Sequence, residues 1–294
     1  MLRKSAAMVG RRLRLLGSRL ETAALQGSTS AQSVVAPDPS TLPEWERVAG
    51  WLPKASLRGW DTPAVTETQE TRWKEFTELL LRPGPLGISN ESPATAGREN
   101  PWPHNLIMTY GYVLGRVLQG SGQSLKMLDW GSGVGHYCPI TAALFPGVNL
   151  NYTAFDLPGL CSLGSKLLPH VRFLSDADDA LKEKYDFVLA GSSLWYSLDW
   201  KETLQSLAAA ANPWIYITRM VFLRHEASCV VVQRPARYGY DTEYQCWFLN
   251  QSEFLHVADD CDLFLEREFY FGPAPDVHGL QETGAFRGFL FRRR

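Results

Sequence analysis

Long apolar runs are missing from the 294-residue chain. None approaches the roughly 18–20 residues that cross a bilayer, so no membrane span is expected. Cysteine is scarce and odd in number. Cys138, Cys161, Cys229, Cys246 and Cys261 contain no C-x-x-C pair, which excludes a zinc knuckle and a disulfide framework and suits free thiols in a reducing compartment. The six histidines are scattered with no H-E-x-x-H, so no catalytic metal is expected. Apolar residues at 45% and charged residues at 20% exclude a collagen-like or disordered chain. Net charge is nearly absent as well, at −2, but only because it is unevenly placed. Residues 1–20 carry six basic side chains (Arg3, Lys4, Arg11, Arg12, Arg14 and Arg19) and no acid. Arg292 to Arg294 add three more, which leaves −11 for residues 21–291. A body this acidic does not suit a phosphate backbone, and nucleic acid is not expected as a partner.

What is present divides into three parts. Residues 1–43 are a basic arm and linker. Val9, Leu13, Leu16 and Leu20 recur on one helical face among arginines, which fits either a weak peripheral contact with a membrane face or a solvated arm. Gln26 to Pro43 is rich in Ser, Thr, Ala and Pro and reads as linker. Residues 44–104 hold five of the ten tryptophans (Trp45, Trp51, Trp60, Trp73 and Trp102), a helical stretch from Arg72 to Leu81 and a loop from Gly84 to Pro103. They read as an N-terminal helical and loop cap on residues 105–294. A cytoplasmic protein is expected, held at the inner membrane face if the arm binds lipid.

From residue 105 helices and strands alternate. Helix is expected at Asn105–Gln119, Val134–Leu144, Pro158–Leu168, Asp176–Glu183 and Trp200–Ala211. Strand is expected at Ser124–Trp130, Asn149–Phe155, Val171–Leu174, Tyr185–Ala190 and Trp214–Thr218. The end of the chain differs. Ser228–Arg234 reads as an extra strand, Asn250 opens a helix, and Leu263–Phe271 with Ala285–Arg292 read as an antiparallel pair. The expected class is α/β: a Rossmann-like, doubly wound, mostly parallel sheet with a C-terminal antiparallel strand pair and the N-terminal cap.

The strongest motif follows the first strand of that run, at Leu128-Asp129-Trp130-Gly131-Ser132-Gly133-Val134-Gly135-His136. A buried strand ends in an acid, and glycine then occupies every second position before a helix. Such glycines let the chain turn sharply and let a ligand approach its backbone. The dinucleotide spacing G-x-G-x-x-G fails, because its third glycine falls on His136. Asp156 ends the next strand, where a carboxylate can accept hydrogen bonds from two ribose hydroxyls, and Leu157 follows it.

The pattern D-x-G-x-G-x-G resembles motif I of class I S-adenosylmethionine-dependent methyltransferases. The resemblance implies S-adenosylmethionine as cofactor. Asp129 would hold its methionyl amino group, and the backbone of Gly131, Ser132, Gly133 and Gly135 would lie along methionine and ribose. Ser175 and Asp176 would lie near adenine, with Asp176 serving equally as a helix N-cap, and Ser192 would border the sulfonium. More narrowly, the chain resembles a mostly bacterial methyltransferase family often encoded with surface-polysaccharide genes. That likeness is carried by Leu128 to Gly131, Val188 to Tyr196, Thr218-Arg219, Val232 to Arg234, Tyr244 to Phe248 and Phe286 to Phe291, and covers about residues 50–294. The first 40 residues depart from it.

The acceptor side is less defined. Trp195 and Tyr196 offer aromatic faces to a sulfonium or a sugar, or else pack in the core. Gln233, Tyr244 and Trp247 have the composition of a carbohydrate-contacting surface and equally of a packed lid. Arg219 either pairs with an acidic acceptor or forms a structural ion pair. Cys246 reads as a small buried residue. The base candidates are His136 at a helix start, His104 before a helix, and Asp199. The expected reaction is methylation of a hydroxyl, with an amine as second choice, on a small-molecule or glycan-type acceptor. A non-catalytic cofactor-binding protein and a protein or nucleic-acid methyltransferase are the alternatives. The oligomeric state stays open.

Overall fold

The computed structural model describes residues 42–90 and 98–294. The basic stretch 1–20 and all but the end of the linker lie outside the described residues. Residues Pro43–Arg294 form one compact unit, in which no described helix is long and apolar enough to cross a membrane.

Five parallel strands make the centre: β2 (Ser124–Trp130), β3 (Asn149–Phe155), β4 (Arg172–Leu174), β5 (Tyr185–Gly191) and β6 (Ala211–Leu223). They lie in the order β4-β3-β2-β5-β6. Their apolar residues alternate between the sheet's two faces. Phe187 and Leu189 join one core cluster with Leu125 and Met127, while Val188 and Ala190 join the other with Leu128. Burial on both faces explains why these strands are nearly continuous apolar runs. Helices cover the faces: α1 (Pro63–Leu81), α2 (Pro101–Ser121), α3 (Tyr137–Leu144), α4 (Pro158–Leu167), α5 (Ala177–Leu181), α6 (Trp200–Ala210) and α7 (Gln251–Asp260). The chain builds outward from β2 through β3 to β4, then returns to β5 on the other side of β2. That reversal, between β2 and β5, is the topological switch point at which open parallel sheets bind ligands.

Strands β9 (Leu263–Pro273) and β10 (Ala285–Arg293) are antiparallel to each other, and β10 is antiparallel to β6. Strand β6 is much longer than the five residues expected. Beyond Thr218, where β5 ends, it runs on to pair through Phe222 and Leu223 with β8 (Tyr244–Asn250). A three-stranded antiparallel branch grows from this point, formed by β8, β7 (Cys229–Gln233) and β1 (Trp45–Val48). Neither β1 nor β8 is evident from sequence. β1 is four residues long and is defined by its pairing with β7 and by a bridge to the backbone of His278.

Several boundaries follow from caps. Asn100 accepts from the Trp102 N–H ahead of α2, Asp176 from Asp179 ahead of α5, Asp199 from Glu202 ahead of α6, and Asn250 from Glu253 ahead of α7. Asp176 and Asp199 are thus engaged as N-caps. The cap helix α1 starts at Pro63, nine residues before the stretch expected, and packs on α3 and α4. The segment between β1 and α1 is tied to the branch. Gln245 accepts from Leu52 N–H (2.7 Å) and donates to Leu52 O (2.9 Å), and Gly59 N–H donates to Glu243 O (2.9 Å).

Candidate active site

The carboxyl ends of β2 and β5 open into a cavity of about 1320 Å³. One wall is the glycine loop. Gly131 has φ +73°, and a Cβ there would collide with the Cβ of Ser193. Only glycine therefore lets the loops after β2 and β5 approach this closely. Ser193 Oγ donates to Trp130 O (2.5 Å), and Gly131 and Ser132 N–H both donate to Phe155 O, which ties the ends of three strands together. Asp156 buttresses the loop: its Oδ2 accepts from Gly133 N–H (2.6 Å) and its Oδ1 from Leu157 N–H (2.7 Å). Gly135 has a different task. It stands away from the cavity, where a Cβ would press within 3.0 Å of Phe173.

Opposite the loop, two non-glycine residues hold left-handed backbone. Ser192 (φ +54°) directly follows β5 and Arg219 (φ +58°) lies within β6. Arg287 pairs with Met220 and Gly288 with Thr218, so Arg219 is the extra residue of a β-bulge in the β6–β10 ladder. Ser192 Oγ donates to Arg219 O (2.9 Å), and Arg219 donates to Gly191 O (3.3 Å) while its guanidinium lies over the Tyr137 ring. Strain of this kind persists where surrounding bonds over-determine it, and here it aims Arg219 into the cavity.

The far wall is aromatic. Trp60 stacks on Tyr244 at 4.2 Å and meets Tyr196 and Tyr240 edge-on at 5.4 and 5.8 Å. Strand register sets Trp45, Gln233 and Tyr244 side by side across β1, β7 and β8. All three face the cavity, and Gln233 is only 6% exposed.

Most residues expected at the site line this cavity: Gly131, Gly133, Asp156, Leu157, Ser175, Ser192, Trp195, Tyr196, Arg219, Gln233 and Tyr244. Others stand elsewhere. Asp129 is 1% exposed and accepts from the Tyr152 hydroxyl beneath the loop, on the side of the sheet carrying Met127. Ser132, which is buried, and Gly135 belong to the loop without lining the cavity, and Asp176 is turned to its cap. Trp247 stacks on Trp51 and donates to Leu198 O (3.3 Å). Neither histidine is in the wall. His104 Nδ1 accepts from Leu86 N–H (3.3 Å), while His136 is 7% exposed and packs on the Tyr137 ring.

Burial pushes the thiols of Cys138 and Cys161 up to about 11, the charge of Asp129 adding to the rise at Cys138. Burial also holds Cys246 well above its ordinary value. These thiols are protonated at neutral pH, which does not suit nucleophiles.

Gln69, Trp45 and Trp60 were not evident as site residues. For Gln69 the signal was present. Val65, Gln69, Trp73, Phe76 and Leu80 form the buried stripe of α1, and one polar residue interrupts it. For the two tryptophans the aromatic richness of residues 44–104 was visible, but not which rings meet the cavity.

No family model matches the chain, and no curated protein matches it. Solved structures do. A 1,6-didemethyltoxoflavin-N1-methyltransferase from Burkholderia thailandensis, bound to S-adenosylhomocysteine, is 16% identical with a TM-score of 0.44 over 62% of this chain and 76% of its own. The magnesium protoporphyrin IX methyltransferase of Synechocystis PCC 6803 is 12% identical with a TM-score of 0.45 over 78% and 98%. A methyltransferase from Methanosarcina mazei is 12% identical with a TM-score of 0.46 over 62% and 96%. At scores this low nothing about chemistry passes from these proteins to this chain, and the site has to be read from its own side chains.

Proposed function

We propose that this chain transfers a methyl group from S-adenosylmethionine to a hydroxyl, or as second choice an amine, of a small polar or glycan-type acceptor. The observation that carries the reading is a single cavity at the switch point of a doubly wound sheet, with a backbone cradle on one side and an aromatic–amide wall on the other. Such a cavity has room for a nucleoside-bearing donor and an acceptor together.

The residues present fit the cofactor. Gly131 and Gly133, both at left-handed φ, bring backbone to the cavity wall, the Asp156 carboxylate lines the same wall and suits ribose hydroxyls, and the adjoining Leu157, Leu160 and Ser175 suit adenine. S-adenosylmethionine supplies a methyl group already activated by its sulfonium, so the protein's part is chiefly positioning and exclusion of water. Trp60, Tyr196 and Tyr244 present faces and hydroxyls to the acceptor, and Gln233 a hydrogen-bonding amide. Arg219 favours an acceptor that carries or develops negative charge. With no histidine in the wall, Asp61 and the wall tyrosines are the groups through which an alcohol would lose its proton.

Calorimetry tests the cofactor class. S-adenosylhomocysteine should bind in the micromolar range, and binding of a nicotinamide dinucleotide in its place would overturn the reading. Profiling of extracts with methyl-labelled donor then tests the acceptor class. Cofactor binding with no labelled product from any pool would favour the non-catalytic alternative.

A further inference from the structure

The methionyl end of the cofactor carries an ammonium, which needs hydrogen-bond acceptors. The strand-end acid that the sequence motif offers for it, Asp129, is buried beneath the loop, absent from the cavity wall, and already accepts from Tyr152. On the cavity side of the same loop stands a different acceptor. Gln69, from the second turn of α1, is 3% exposed and lines the cavity, and its Oε1 is buried with no hydrogen-bond partner. This oxygen lies 3.3 Å from where a Cβ on Gly133 would be, directly over the loop whose N–H donates to Asp156. A buried amide oxygen without a partner is costly to the fold, because the water it has lost is not replaced. It also interrupts an otherwise apolar helix face, so packing alone gives no reason for it. Local rules of this kind are broken most often at functional sites.

We infer that Gln69 is the cofactor-positioning residue for the ammonium of the methionyl group: its Oε1 accepts an N–H from that ammonium, and the cap helix thereby completes the cofactor site. Asp129 serves instead to hold Tyr152 and the base of the loop. The inference rests on the proposed methyltransferase reading. It adds that residues 63–81 are part of the cofactor site and not only a cover for it.

The test compares two ligands by calorimetry on the full chain: S-adenosylhomocysteine and its desamino analogue, which keeps adenosine, sulfur and carboxylate but lacks the ammonium. Gln69→Met keeps the side chain's length and removes the acceptor. It should weaken S-adenosylhomocysteine binding by about ten- to a hundredfold, the scale of a hydrogen bond to a charged group. Its affinity for the desamino analogue should stay within about twofold of wild type. The melting temperature of the free protein should hold or rise, because an unpaired amide has been replaced by an apolar isostere. Gln69→Glu, which retains an acceptor, should keep most of the preference for the ammonium-bearing ligand. Equal weakening of both ligands by Gln69→Met, or none, would overturn the inference while leaving the methyltransferase reading intact. Failure of the wild-type chain to bind either ligand would remove that reading, and the inference with it.

Discussion

The two walls of the cavity are built by opposite means. The cradle side is made of backbone: glycines at Gly131 and Gly133, carbonyls at strand ends, and one carboxylate that accepts from Gly133 N–H. The far side is made of side chains from three distant stretches, with Trp60 from the cap, Tyr196 after β5, and Tyr240 and Tyr244 before and within β8. The backbone wall tolerates least change at Gly131, where an added methyl group would run into Ser193. A side-chain wall can be altered ring by ring. The contrast fits a cradle kept for one constant ligand and a chamber adjusted to a particular acceptor.

The largest effect is expected where the cradle is tightest. Gly131→Val puts a branched side chain into Ser193 at a left-handed φ, and S-adenosylhomocysteine binding should be lost altogether, with a lower melting temperature. Retained binding in calorimetry would show that the cradle is not the cofactor wall. Next comes the chamber. Trp60→Ala should cut methyl transfer about a hundredfold, the scale of a misplaced acceptor, while cofactor affinity stays within about twofold. Parallel loss of both would merge the two walls into one site.

Arg219 sits at the seam. Replacing it with glycine relieves its left-handed backbone and should raise stability by about 1 kcal/mol in urea unfolding, while turnover falls. A net loss of stability would mean that the guanidinium's contacts with Gly191 and Tyr137 outweigh the strain. The smallest effect belongs to neither wall. Hydrogen bonds from Lys126 and then Arg172 hold the Glu183 carboxyl at about 2, below its ordinary 4.5. Its stabilising contribution is therefore complete above about pH 4.5 and is lost as the pH falls through about 2. The group is partly exposed, so the contribution is no more than about 1 kcal/mol. Acid titration of Glu183→Gln should lack this component of the unfolding curve and leave both walls unaffected.

Legibility in the sequence follows the same division. The strands from Ser124 to Gly191 were recognisable to within a residue or two, since each is a short apolar run between glycines, prolines or capping acids. The cradle was recognisable because glycine spacing is a local property. The branch was not. β1 acquires its identity by pairing with β7, almost two hundred residues away, and with the backbone of His278, and β8 by pairing with β7 and the overhanging end of β6. The two histidines offered as bases had suitable chemistry and suitable places in the chain. His104 is turned toward the Leu86 backbone and His136 into the core, directions that nothing local specifies.

By itself, then, the sequence determined the doubly wound class, the position of the glycine cradle and the strand-end acid Asp156, because these depend on periodicity and on which residues tolerate a turn; that Asp156 buttresses the loop through Gly133 came from the tertiary structure. Tertiary structure alone decided that Asp129 accepts from Tyr152 beneath the loop, that Gln69 lies over the loop beside Gly133, and which rings close the far wall. Those outcomes depend on how distant segments share limited interior space. Whether a buried polar group meets a partner or a cavity is settled by packing.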